Sequence, residues 1–198
     1  MSVDDQTKTK ALVESNKIRK HDKYLSESFL KELFEKIDNI RDEAYIKFHV
    51  QTGIRVIDVV NAEWVHLDNK ENKIKVYDHK KDAWRDIYFP ENLKSTLNKW
   101  RLDCQKQDIK DKRIFPFSSK TANRILKHWC DKLGYKYANK VSSHWLRHTF
   151  IRLSRRAGRD MIAVRQNTGD TTNTILNWYE GYSSEDMRRE IETKPLIQ

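Results

Sequence analysis

The chain has 198 residues, enough for one domain with a sizeable core and short for two, and its 39 Lys and Arg against 29 Asp and Glu leave a formal charge of +10. That balance favours a polyanion, most often nucleic acid, as partner. Cys104 and Cys130 stand far apart without a CxxC, which argues against a disulfide framework or a zinc site and for a reducing compartment. No apolar run approaches the roughly 20 residues of a membrane span, and the N-terminus lacks a signal-peptide core. The expectation is a soluble, cytoplasmic protein that makes no membrane contact.

Residues 1–22 are almost entirely polar and read as a flexible tail or linker remnant, with the folded domain over 23–198. In "LSESFLKELFEKIDNI" the apolar set Leu30, Leu33, Phe34 and Ile37 has helical spacing, which predicts a helix over 28–39 capped by Ser26 or Ser28. A second helix, "RDEAYIKFHVQTG", ends at Gly53, and "RVIDVVNAEWV" repeats the pattern with Val56, Val59, Val60 and Trp64. The period then changes. Ile74 and Val76 alternate with polar neighbours, as do Ile87 and Phe89, so two half-buried strands flank the charged turn "HKKD".

Pro90 opens a helix carrying Leu93, Leu97 and Trp100, and a polar stretch through Lys112 follows. Ala122, Ile125, Leu126, Trp129 and Leu133 form an amphipathic helix that Gly134 stops. The remainder reads as helical with breaks at Gly158, Gly169 and Gly181, closed by a short helix after Ser183 that Pro195 limits. The fold class is mostly α with one small antiparallel β-sheet. Trp64, Trp100, Trp129 and Trp145 read as packing residues.

Four separated pieces carry chemistry. "TGIRVIDVV" sets Arg55 just after a helix-ending glycine. "HKKDAWR" sets Lys80 and Lys81 in the hairpin turn. "SSHWLRHTF" puts His144 and Arg147 on one helical face. "GDTTNTILNWY" ends with Tyr179, 32 positions after Arg147. A phenol, with an ordinary pKa of about 10, serves both as nucleophile and as leaving group, so it suits a reversible bond to phosphorus. Two forked guanidinium groups can hold the charge that gathers on the phosphoryl oxygens.

In order and spacing these pieces resemble the tyrosine recombinase (phage integrase) family over about residues 24–190. The "HWLRH" box is the most specific of them. The resemblance implies the family's catalytic-domain fold, with Arg55, Lys80, His144, Arg147 and Tyr179 as catalytic residues. Lys81 competes with Lys80 as the proton donor to the departing 5′-oxygen, and Tyr182, Tyr135 and Tyr137 compete with Tyr179. Asp58 matches the acidic position of the first-arginine box, and His148 is read as structural support.

The resemblance further implies metal- and ATP-independent strand exchange with no cofactor, acting on double-stranded DNA that carries a specific recombination site. It implies a monomer in solution that becomes a homotetramer on DNA, with Leu196 and Ile197 of the tail docking on the neighbouring protomer. A type IB topoisomerase-like relaxase and a non-catalytic DNA-binding protein on the same fold are the alternatives. Two departures stand out. Asp170 occupies a position where the family usually has His or Trp, and a carboxylate there is unfavourable beside a phosphate unless an arginine or lysine pairs with it. Only a tail stands where most members carry an N-terminal helical domain, as expected of an excised catalytic domain or of a minimal recombinase.

Overall fold

The computed structural model describes residues 18, 20–78, 81–171 and 184–193. The chain divides into two compact units, one spanning Tyr24–Glu180 and the other joining Met1–Lys23 with Gly181–Gln198. Eight α-helices and one three-stranded antiparallel sheet are described, the mostly helical architecture that the sequence periods predict. Among the described residues no helix is long and apolar enough to cross a membrane.

Helix α1 (Glu27–Lys36) starts at Ser26, whose hydroxyl accepts from the Phe29 N–H at 3.2 Å. It ends three residues before the predicted boundary, because Asn39 caps the next helix by accepting from the Asp42 N–H at 3.1 Å. Helix α2 (Ile40–Thr52) is the centre of the core: Ala44, Tyr45, Ile46 and Phe48 are fully buried. Trp129 donates through its indole N–H to Asp42 at 3.0 Å, so one of the packing tryptophans also has its polar atom satisfied.

Gly53 ends α2 with φ 64°. Helix α3 (Val56–Asn61) follows at once but stops short of the predicted Trp64. The chain there turns to pair with a distant segment: Ile114 N–H bonds Ala62 O at 2.8 Å and Trp64 N–H bonds Lys112 O at 3.0 Å. These bonds take the backbone groups that a longer helix would use internally.

Strands β1 (Leu67–Asp68), β2 (Lys73–Asp78) and β3 (Ala83–Tyr88) lie in sequence order, with Ile74 opposite Ile87, Val76 opposite Arg85 and Asp78 opposite Ala83. Ile74, Val76 and Ile87 carry the hairpin onto the core. Helix α4 (Glu91–Lys106) begins after Pro90, and α5 (Ser119–Lys132) is capped by Ser118. Helices α6 (Ser143–Arg156) and α7 (Met161–Thr168) complete this unit, α7 ending at Gly169 with φ 73°.

In the second unit, α8 (Ser184–Thr193) is the described part of the predicted C-terminal helix, with Met187 and Ile191 exposed. Gly181, Leu196 and Ile197 lie outside the described residues.

Gly53 meets two demands at once. Its φ is one that L side chains rarely adopt, and a Cβ added there would stand 2.2 Å from Cδ1 of Phe150 on α6. Gly53→Ala is expected to cost about 2 kcal/mol or more from strain and overpacking. That is a fall of about 5 °C in Tm for a chain of this size, measurable by calorimetry. An unchanged melting temperature would mean that α2 and α6 separate without penalty.

Candidate active site

The close approach at Gly53 places two arginines side by side. Arg55 is the extended residue between α2 and α3 (φ −69°, ψ 148°), and its carbonyl accepts the Val59 N–H at 3.0 Å to begin α3. Arg147 lies one turn into α6, where it is buried, and its Nη1 donates to the Gly53 carbonyl at 2.5 Å. The residue that ends one helix is thus fastened to the arginine on the other.

From Arg147 an alternating row of charges runs through the unit. Arg147 Nη2 meets Asp170 Oδ1 at 2.5 Å, and Arg55 Nη2 reaches the same oxygen at 3.8 Å. Arg55 Nη1 lies 3.3 Å from each oxygen of Asp78. Arg85 Nε meets Asp78 Oδ2 at 3.3 Å, and Arg85 Nη2 stands 3.7 Å from Asp58 Oδ2. Three guanidinium groups therefore face three carboxylates, and all three aspartates are buried. Among the described residues no group of His, Cys, Asp and Glu is arranged to hold a metal ion.

Burial weighs on these charges. It pulls the Arg147 pKa below its ordinary value, with Asp170 acting in the opposite direction. It does the same to Arg85, against Asp58 and Asp78. Lost hydration and then the Arg147 charge depress the His144 imidazole, which favours its neutral, proton-accepting form. Beneath the site His49 is buried and neutral, pushed down to about 3 first by desolvation and then by Arg147. Its Nδ1 lies 3.5 Å from the Tyr45 hydroxyl, which in turn meets the Ser143 hydroxyl at 2.9 Å.

Of the residues singled out in the sequence, Arg55, Arg147, Asp58 and Asp170 are brought together in this row. His144, in the first turn of α6, is exposed between buried Ser143 and Trp145, with its ring 5.2 Å from that of half-buried His148. Lys81 is exposed, and its N–H donates to the Asp78 carbonyl at 3.0 Å and to Asp78 Oδ1 at 3.3 Å. Lys80, Tyr179 and Tyr182 lie outside the described residues. Asp170, the departure from the family pattern, has the arginine pairing that its position demands. Asp78 and Arg85 are site residues that the sequence reading did not assign. The available signal was their phase in the two strands, since Asp78 falls in register with Ile74 and Val76, and Arg85 with Ile87, all on the buried face.

This fold is that of tyrosine recombinase catalytic domains: a crystal structure of XerA recombinase superposes with a TM-score of 0.76 at 25% identity, covering 88% of this chain and 66% of that one. XerH recombinase bound to its difH substrate superposes with a TM-score of 0.69 at 20% identity, covering 92% of this chain and 56% of that one. The phage integrase family model matches residues 23–185, and the chain belongs to that family. Among curated proteins it is 26% identical over 172 residues to tyrosine recombinase XerA of Saccharolobus solfataricus, covering 87% of this chain and 56% of that protein. It spans 50% to 62% of the length of the curated recombinases that it matches.

Two expectations follow from the charges. One oxygen of Asp170 sits between both guanidinium groups, so it competes with any anion that would bind there. Asp170→Asn should lower Tm, because removing one partner of a buried pair costs about 3–5 kcal/mol. It should also make Tm climb with added sulfate, by the stabilisation that binding to the folded state alone confers. An equal sulfate response in both proteins would place the anion elsewhere.

For His49 the folded pKa is depressed below the ordinary 6.5, so below that pH the unfolded chain takes up a proton that the folded chain refuses until about 3. Stability should therefore fall as pH drops from about 6.5 toward 3, by at most about 1.4 kcal/mol per pH unit from this residue. His49→Gln should flatten that part of the profile in denaturant titrations. A slope identical to the parent's would assign the acid sensitivity to other groups.

Proposed function

We propose that this chain is the catalytic part of a site-specific DNA recombinase that breaks and rejoins strands through a covalent 3′-phosphotyrosine. The observation that carries the reading is the convergence of Arg55 and Arg147, 92 positions apart in sequence, on one carboxylate oxygen, Oδ1 of Asp170. A phosphoryl oxygen has the same charge and hydrogen-bond needs. Family membership and the solved recombinase complexes with DNA sites support the partner, a duplex carrying a recombination site.

In this reading the Tyr179 oxygen attacks the scissile phosphorus, the bond to the 5′-oxygen breaks, and Arg55 and Arg147 neutralise the equatorial oxygens. The hairpin lysine, Lys80 or Lys81, gives its proton to the departing 5′-oxygen, and neutral His144 bonds the phosphate or takes the tyrosine proton. Attack by the 5′-hydroxyl of a second strand reverses each step and expels the tyrosine. Neither metal nor ATP enters, because the arginines supply the electrostatic stabilisation and the phosphotyrosine conserves the bond. Four protomers on two duplexes would complete the exchange, with the C-terminal tail linking neighbours.

Tyr179→Phe is expected to abolish covalent attachment to a nicked suicide duplex while DNA binding persists, since only the nucleophilic oxygen is lost. Arg55→Ala and Arg147→Ala should each slow cleavage by about two orders of magnitude or more. Covalent adducts formed by the Tyr179→Phe protein, read by denaturing electrophoresis, would sink the assignment.

A further inference from the structure

Arg85 makes more contacts than its place on a short strand requires. Its Nη1 donates to the Asn167 carbonyl at 2.5 Å and its Nη2 to the Thr168 carbonyl at 3.3 Å, at the C-terminal end of α7, where a cation is favoured. The same guanidinium faces Asp58 on α3 and Asp78 at the end of β2. One planar fork thus joins three elements, a task that a lysine's single ammonium point cannot reproduce. The side chain is 15% exposed, both terminal nitrogens donate to backbone carbonyls and Nε faces Asp78, so it has the contacts of a brace.

The brace acts at the end of β2. The hairpin's apolar residues Ile74, Val76 and Ile87 already seat the sheet on the core. Asp78 lies beyond them and bonds Arg55 on one side and the Lys81 N–H on the other. Arg85 holds Asp78 in that double contact. The exit of α7 closes over the pair: a Cβ on Gly169 would come within 2.8 Å of Asp78 Oδ2 and 3.0 Å of Arg85 Cζ.

We propose that Arg85, acting through Asp78, is a positioning residue that sets how Asp78 and the Lys81 backbone meet Arg55. Its role would be to support proton transfer from the hairpin lysine to the departing 5′-oxygen. This rests on the reading above, in which a hairpin lysine is the general acid.

The test uses a suicide duplex with an ordinary scissile phosphate and one with a 5′-bridging phosphorothiolate, whose sulfur leaves without needing a proton. Single-turnover cleavage is measured for the whole chain and for Arg85→Lys, Arg85→Gln, Lys80→Ala and Lys81→Ala, with Tm and DNA affinity measured for each. On ordinary DNA the Arg85 variants should lose about 10²-fold, the scale of a general acid's contribution. On the phosphorothiolate they should recover to within about 10-fold of the parent, as should the variant of the true acid, with DNA affinity unchanged throughout.

An equal loss on both substrates, beside a rescued lysine variant, would make Arg85 a residue of the phosphate site or of the fold and overturn the proposal. Loss of the folded protein in both Arg85 variants would do the same. If neither lysine variant is rescued, the hairpin acid itself fails, and Arg85's role fails with it.

Discussion

Three buried carboxylates and the guanidinium groups that face them, Arg147 buried and Arg55 and Arg85 partly so, set the terms for everything around them. An isolated buried charge is costly, and the penalty is offset only by close, well-aligned counter-charges. The chain supplies Asp170, Asp78 and Asp58 in alternation with Arg147, Arg55 and Arg85, and draws them from six different elements or junctions. Each element must arrive at its own angle for the row to close. The row is therefore a constraint on the whole fold as much as a feature of one site.

The two left-handed glycines make that arrival possible. Gly53 lets α2 end beneath Phe150 and offers its carbonyl to Arg147. Gly169 lets α7 end directly over Asp78 and Arg85, with its carbonyl 3.5 Å from Arg55 Nη2. Both sites combine a backbone angle that favours glycine with a space that admits no side chain. Asn167 ties these two ends together, since its Nδ2 donates to the Thr52 carbonyl at 3.0 Å and its Oδ1 accepts from the Tyr88 N–H at 2.9 Å.

Helical periodicity and strand alternation were readable because each is written within a few turns of chain, as in Leu30 and Leu33 or Ile74 and Val76. Arg55 and Arg147 stand out in the sequence because forked guanidinium groups suit an anion, and the structure sets the two side by side. What escaped was non-local. The early end of α3 depends on Ile114 and Lys112, some fifty positions away, and the predicted end of α1 yielded to a cap that belongs to the next helix. Asp78 and Arg85 showed only as charges in the buried phase of a strand, a pattern that period counting treats as noise. The pairing of Asp170 with both arginines required the fold to bring residue 170 back to residues 55 and 147.

The alternating row has a consequence for where the chain's charge resides. Its three arginines and three aspartates cancel, so the surplus of +10 is carried by the other residues. Attraction at a distance and chemistry at contact are thereby assigned to different side chains. Mobile ions screen exposed charges over about 8 Å at physiological ionic strength, and they screen buried pairs far less. Changing the ionic strength would therefore alter how fast a polyanion is drawn to the surface while leaving the internal order of the row almost untouched.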